Sequence, residues 1–134
     1  MIKPPIEKVS TKKILVVEDD VDILETTTEL LELKGYTVVA AKNGQIGLES
    51  AKNERPDLII SDVTMPKMNG FELLNALRAN AKTAMIPFVF LTAKAQKGDK
   101  LLGASSGADR YLTKPFTMVD LLRNIKEILE CVPQ

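Results

Sequence analysis

Short, mainly apolar runs along this chain take turns with stretches whose apolar residues recur every three or four positions. The runs 14–17, 36–40, 58–60, 86–91 and 110–112 read as strands. Between the first two, Ile23, Leu24, Leu30 and Leu31 put an apolar face on a helix over 21–34, which Gly35 stops. A shorter helix over 43–53 carries Ile46 and Leu48, with Asn43 as its candidate N-cap and Pro56 beyond its end. Asn69 is placed to cap a helix over 70–80 that turns Phe71, Leu74 and Leu77 inward. Leu121, Leu122, Ile125 and Leu129 mark one face of a last helix over 116–130. The segment 98–106, GDKLLGASS, reads as a weak helix, because Gly103, Ser105 and Ser106 lower its propensity.

Strand and helix thus alternate five times. Such alternation predicts parallel pairing with right-handed crossovers, and continuous apolar strands predict a sheet covered on both faces. The expected fold class is α/β: a single doubly wound, five-stranded parallel sheet in the order 2-1-3-4-5, flavodoxin-like. Its five helices are expected as two on one face and three on the other. Residues 1–11 read as a flexible leader and residues 12–134 as one domain.

Composition narrows the chemistry. Apolar residues make up 45% of the 134, enough for a core, and 18 basic side chains balance 18 acidic ones. No net field therefore points to nucleic acid or an anionic membrane. No apolar run approaches the roughly 20 residues of a membrane span, and the leader MIKPPIEKVSTK lacks the apolar core of a signal peptide. The single cysteine, Cys131, cannot form an internal disulfide, which fits a reducing cytoplasm. The chain has no histidine, so it cannot itself carry a phosphohistidine, a histidine base or a histidine metal site.

Ligands of an open parallel sheet gather at the carboxyl ends of its strands. Glu18 and Asp19 follow the first strand, Asp62 the third, Thr92 the fourth and Lys114 the fifth. A lone acid at a strand end is more often a helix cap, and Asp20 fits that role. Three carboxylates, a hydroxyl and an ammonium converging on one edge call for more. Crowded carboxylates need a counter-ion, and hard oxygen ligands suit Mg²⁺ or Mn²⁺. Such an ion and Lys114 would make a cationic pocket around Asp62, suited to a transferring phosphoryl group. A carboxylate there can act as the nucleophile.

The stretches ILVVEDD, DLIISDVTMPKMNG, FLTA and YLTKPF, in this order, resemble the response-regulator receiver domain of two-component signalling, in its chemotaxis-receiver-like form. The resemblance covers 12 to about 130. It implies a phosphorylation-dependent switch rather than a turnover enzyme. Asp62 is then the phosphoacceptor, fed by a sensor histidine kinase, a phosphotransfer protein or a small phosphodonor. Glu18, Asp19 and Asp62 hold Mg²⁺ with the backbone carbonyl of Thr64. Thr92 bonds a phosphoryl oxygen, Lys114 pairs with it, and Tyr111 changes rotamer as Thr92 moves inward. The surface of 98–106, the fifth strand and the last helix then changes and is read by a partner. Thr64 and Lys94 are the positions implied to tune the phosphoryl lifetime. Neither orients a hydrolytic water well, so a slow loss is expected.

Two rival classes fit less well. An aspartyl-nucleophile phosphohydrolase places a second Asp two residues on as general acid, where this chain has Thr64. A flavin-mononucleotide binder needs a hydroxyl- and glycine-rich loop after the first strand, where this chain has EDDVDI. Two departures bear on assembly. Receivers of transcription factors that dimerise through the last strand and helix typically have two acids before the tyrosine and an arginine in the last helix. Here those places hold Arg110 and Asn124, so a monomer or a weak phosphorylation-dependent dimer is expected. A cytoplasmic protein that contacts neither nucleic acid nor membrane through this chain completes the reading.

Overall fold

The computed structural model describes residues 12–92, 108–113 and 117–130. Its strands are β1 (Lys13–Val17), β2 (Thr37–Ala41), β3 (Leu58–Asp62), β4 (Phe88–Thr92) and β5 (Arg110–Thr113). They form one sheet in the order β2-β1-β3-β4-β5, and every neighbouring pair is parallel. Among the described residues the helices are α1 (Val21–Leu33), α2 (Gly44–Glu54), α3 (Gly70–Arg78) and α4 (Met118–Glu130). The fifth helix expected over 98–106 lies outside the described residues.

Alternation along each strand sends side chains to two separate cores. Leu15, Val17, Ile59, Phe88 and Phe90 pack with Ala51 of α2 and Leu73, Leu74 and Leu77 of α3. Ile14, Val16, Leu58, Ile60, Val89 and Leu91 pack with Leu24 and Leu31 of α1 and Leu121 and Ile125 of α4. The described helices therefore lie two to a face. Full burial of a large apolar side chain contributes about 1.5–3 kcal/mol, so these two layers carry most of the stability.

Each helix start follows from a short polar side chain. Asp20 accepts from the Asp22 and Ile23 amides, and Asn43 from the Ile46 amide. Asn69 and Glu72 form a reciprocal capping box. Thr117 Oγ1 accepts from the Asp120 amide at 2.9 Å, and the Asp120 carboxylate accepts in return from the Thr117 amide at 3.4 Å. That amide is the main reason the Asp120 carboxyl sits below its ordinary pKa, with Arg123 a lesser one.

Most boundaries shift by one or two residues from the pattern, and two of the shifts have a visible cause. β4 starts at Phe88 rather than 86, because the Ile86 amide closes a turn onto the Thr83 carbonyl and Pro87 has no amide to donate. α3 stops at Arg78 rather than 80. The buried Thr83 hydroxyl donates to the Leu77 carbonyl at 2.6 Å, and the Asn80 amide bonds the same carbonyl.

Candidate functional site

β1 and β3 are neighbours in register, Val17 beside Ser61, so the residues that follow them meet at the carboxyl edge of the sheet. Glu18, Asp19 and Asp62 each bring a carboxylate oxygen within 4.8 Å of the others. Glu18 is only 5% exposed, Asp62 is half-buried and Asp19 faces solvent. The Glu18 backbone is pinned by its amide bond to the Ala41 carbonyl of β2, and its Oε2 accepts from the Asp20 amide at 3.0 Å. The Asp62 Oδ1 accepts from the Val63 amide at 2.7 Å. Three like charges this close, one of them buried, repel unless a cation sits among them. The donors are all hard oxygens, with no sulfur or imidazole, which is the ligand set of Mg²⁺. The residues present therefore fit the ion that the sequence implies.

Thr92 closes β4, one residue beyond Leu91, which is the register partner of Asp62. Its backbone is thus at the same edge, one strand away from the acceptor candidate. Tyr111 stands beside Phe90 in the β4–β5 register, with ring centroids 5.8 Å apart. Phe90 also meets Phe71 and Phe88, each at 4.9 Å, so an aromatic cluster runs from α3 to β5 beneath the edge. Thr64 is exposed two residues past Asp62. Lys94 and Lys114 lie outside the described residues.

The loop between β3 and α3 is tightly built. The Gly70 amide donates to the Val63 carbonyl at 2.8 Å, and the Met68 amide reaches back to the Pro66 carbonyl at 2.8 Å. The second bond closes a turn centred on Lys67, whose φ is 70°. A side chain in this left-handed region costs energy that glycine avoids. Lys67→Gly is expected to raise stability by about 0.5–1 kcal/mol, net of the greater chain entropy of glycine. Thermal melts check this; a lower midpoint would mean that the lysine side chain stabilises the loop.

Pattern reading missed the buried polar residue Ser61, the aromatic cluster and the Arg110 contact. Arg110 Nη1 donates to Asn124 Oδ1 and pairs with Glu127 at 2.9 Å, so the two departures noted in sequence meet within one molecule. Ser61 had a visible signal, a lone hydroxyl between the apolar run LII and Asp62. The other two depend on which strands and helices adjoin.

Among known proteins, the sequence profile described as "Response regulator receiver domain" matches residues 14–126. Over 118 residues the chain is 43% identical to the alkaline phosphatase synthesis transcriptional regulatory protein PhoP of Bacillus subtilis, covering 88% of this chain and 48% of that protein. The chain thus spans about half the length of that relative. Protein PilH of Pseudomonas aeruginosa is 38% identical over 117 residues, covering 87% of this chain and 97% of PilH. The Vibrio cholerae chemotaxis protein CheY4 superposes with a TM-score of 0.84 at 35% identity, covering 90% of this chain and all of that one. With the parallel sheet and the acidic cluster at its carboxyl edge, these likenesses establish that the chain belongs to the response regulator receiver domain family, the phosphorylation-dependent switches of two-component signalling.

Proposed function

We propose that Asp62 is the phosphoacceptor of this switch. A carboxylate oxygen of Asp62 attacks the phosphorus of a phosphohistidine on a sensor kinase or phosphotransfer protein. The O–P bond forms as the P–N bond breaks, and the imidazole nitrogen keeps the electron pair and takes up a proton. Glu18, Asp19, Asp62 and the Thr64 carbonyl would hold Mg²⁺, or Mn²⁺ in its place, and the bound ion supplies charge neutralisation at the phosphoryl oxygens. In this reading Thr92 donates its hydroxyl to a phosphoryl oxygen, Lys114 pairs with another, and Tyr111 follows Thr92 inward. A fifth helix over 98–106 belongs to the surface that then changes. The chain phosphorylates and slowly dephosphorylates itself without turning over a substrate. Among the described residues no helix is long and apolar enough to cross a membrane, in keeping with a cytoplasmic site of action.

The observation that carries the reading is the meeting of Glu18, Asp19 and Asp62 within 4.8 Å beside the strand end that bears Thr92. Incubation with acetyl phosphate, with and without Mg²⁺, tests it by intact mass. One added phosphoryl group is expected, and only with the metal; no gain under any metal would overturn the proposal. Asp19 is the exposed member of the triad, so its loss removes a ligand and a charge with little change to the core. Asp19→Ala is expected to raise the Mg²⁺ concentration for half-maximal phosphorylation at least about tenfold. An unchanged requirement would remove Asp19 from the ligand set.

A further inference from the structure

We propose that Ser61 is a positioning residue for phosphoryl transfer, acting on Asp62 through the peptide bond between Asp62 and Val63. This rests on Asp62 being the acceptor.

Ser61 is wholly buried in β3, between Val17 of β1 and Phe90 of β4. Burying a hydroxyl is unfavourable unless it finds a partner, and an apolar residue would fit this strand at lower cost. Its partner is the next residue's carbonyl: Ser61 Oγ donates to Asp62 O at 2.8 Å. That carbonyl belongs to the same peptide unit as the Val63 amide, which donates to Asp62 Oδ1 at 2.7 Å. The serine proton, the peptide and the acceptor carboxylate thus form one hydrogen-bonded chain. Donation to a peptide oxygen polarises the unit and strengthens its N–H as a donor. The same bond fixes the tilt of the peptide plane, and with it the direction in which Oδ1 is held. The other oxygen is thereby oriented for attack.

The far side of this peptide is closed as well. A Cβ on Gly70 would lie 2.4 Å from Asp62 O, so α3 approaches the carbonyl as nearly as a bare backbone allows. The Val63 carbonyl accepts from the Gly70 amide at 2.8 Å. Ser61 supplies the hydroxyl contact and Gly70 the open space. Together they leave the Asp62–Val63 peptide one orientation. Orientation of the nucleophile is where binding geometry converts into rate, so a small rotation here acts on the maximal rate rather than on donor binding.

The test compares Ser61→Ala, Ser61→Thr and the native chain, with Asp62→Asn as the control for the acceptor. Each is phosphorylated with acetyl phosphate at saturating Mg²⁺, and the amide proton of Val63 is followed by NMR. In Ser61→Ala the maximal rate is expected to fall about 3- to 10-fold, the size of one lost hydrogen bond. The half-saturating donor concentration should not change, and the Val63 amide should move upfield as its bond lengthens. Ser61→Thr keeps the hydroxyl and should restore both readouts to near native, even where its extra methyl lowers the melting point. Two results overturn the proposal: a native maximal rate in Ser61→Ala, or equal slowing in Ala and Thr, which would make the role one of packing. Should the native chain gain no phosphoryl group, or Asp62→Asn gain one, the acceptor reading itself fails, separately from the role of Ser61.

Discussion

Asp62→Asn is expected to end phosphoryl gain, lowering the rate with acetyl phosphate and Mg²⁺ by at least about 100-fold. The amide is nearly isosteric with the carboxylate, and its oxygen can still accept from the Val63 amide as Oδ1 does at 2.7 Å. Its nitrogen lone pair is delocalised into the carbonyl, so neither terminal atom is a useful nucleophile. The substitution also removes one of three carboxylates that lie within 4.8 Å of one another. Each like-charge pair at this separation costs on the order of 1 kcal/mol in water, and more where a partner such as Glu18 is buried. Relief of this repulsion favours the variant, and without metal it should therefore remain folded, with a melting point near that of the native chain. Intact mass and metal-free melts give both halves of the prediction. Gain at the native rate would move the acceptor elsewhere. A large drop in melting point would show that Asp62 serves the fold rather than the chemistry.

The parts of this molecule that sequence reveals are those governed by local periodicity or by a single side chain. Val16 and Ile60 belong to unbroken apolar runs because β1 and β3 are central and covered on both faces, and nothing polar could be placed there at low cost. Asp20, Asn43 and Asn69 cap helices because a short acceptor satisfies the amides just ahead of it, a geometry that spans three residues. The acidic edge is legible once the strand ends are known, since parallel strands carry their following residues to one side. What resists reading is set by contacts between distant segments. Ile86 looks like strand by composition, but its amide is taken by Thr83 and its successor is proline. Thr83 is polar and wholly buried, a placement that makes sense only once the Leu77 carbonyl is seen above it. Arg110 and Asn124 register in sequence as two separate departures, and their meeting requires β5 to lie along α4.

Gly70→Ala should be destabilising, against the ordinary helix-propensity expectation. In an open helical position alanine is favoured over glycine by about 1 kcal/mol. Here the added Cβ would meet Asp62 O at 2.4 Å, Phe90 Cε1 at 2.8 Å and Val63 Cα at 3.1 Å. Two of the three are backbone atoms, and the Phe90 ring is itself held by Phe71, Phe88 and Tyr111. Nothing in this set yields by a flexible side chain, so α3 must move away from the sheet or the Asp62–Val63 peptide must turn. Overpacking of this kind costs about 1–3 kcal/mol, which outweighs the propensity gain and, at roughly 4 °C per kcal/mol for a domain of this size, is resolved in a melt. A second glycine calibrates the effect. At Gly47 the clash is with the Val17 methyls, at 2.9 Å and 3.2 Å, which belong to a side chain rather than the main chain. Gly47→Ala should therefore cost less than Gly70→Ala and leave the acceptor peptide in place. The order should appear twice: in melting points, with Gly70→Ala lower, and in phosphorylation by acetyl phosphate, with only Gly70→Ala slowed among molecules that remain folded. The reverse order in both would mean that the helix, not the acceptor peptide, is the part that gives way.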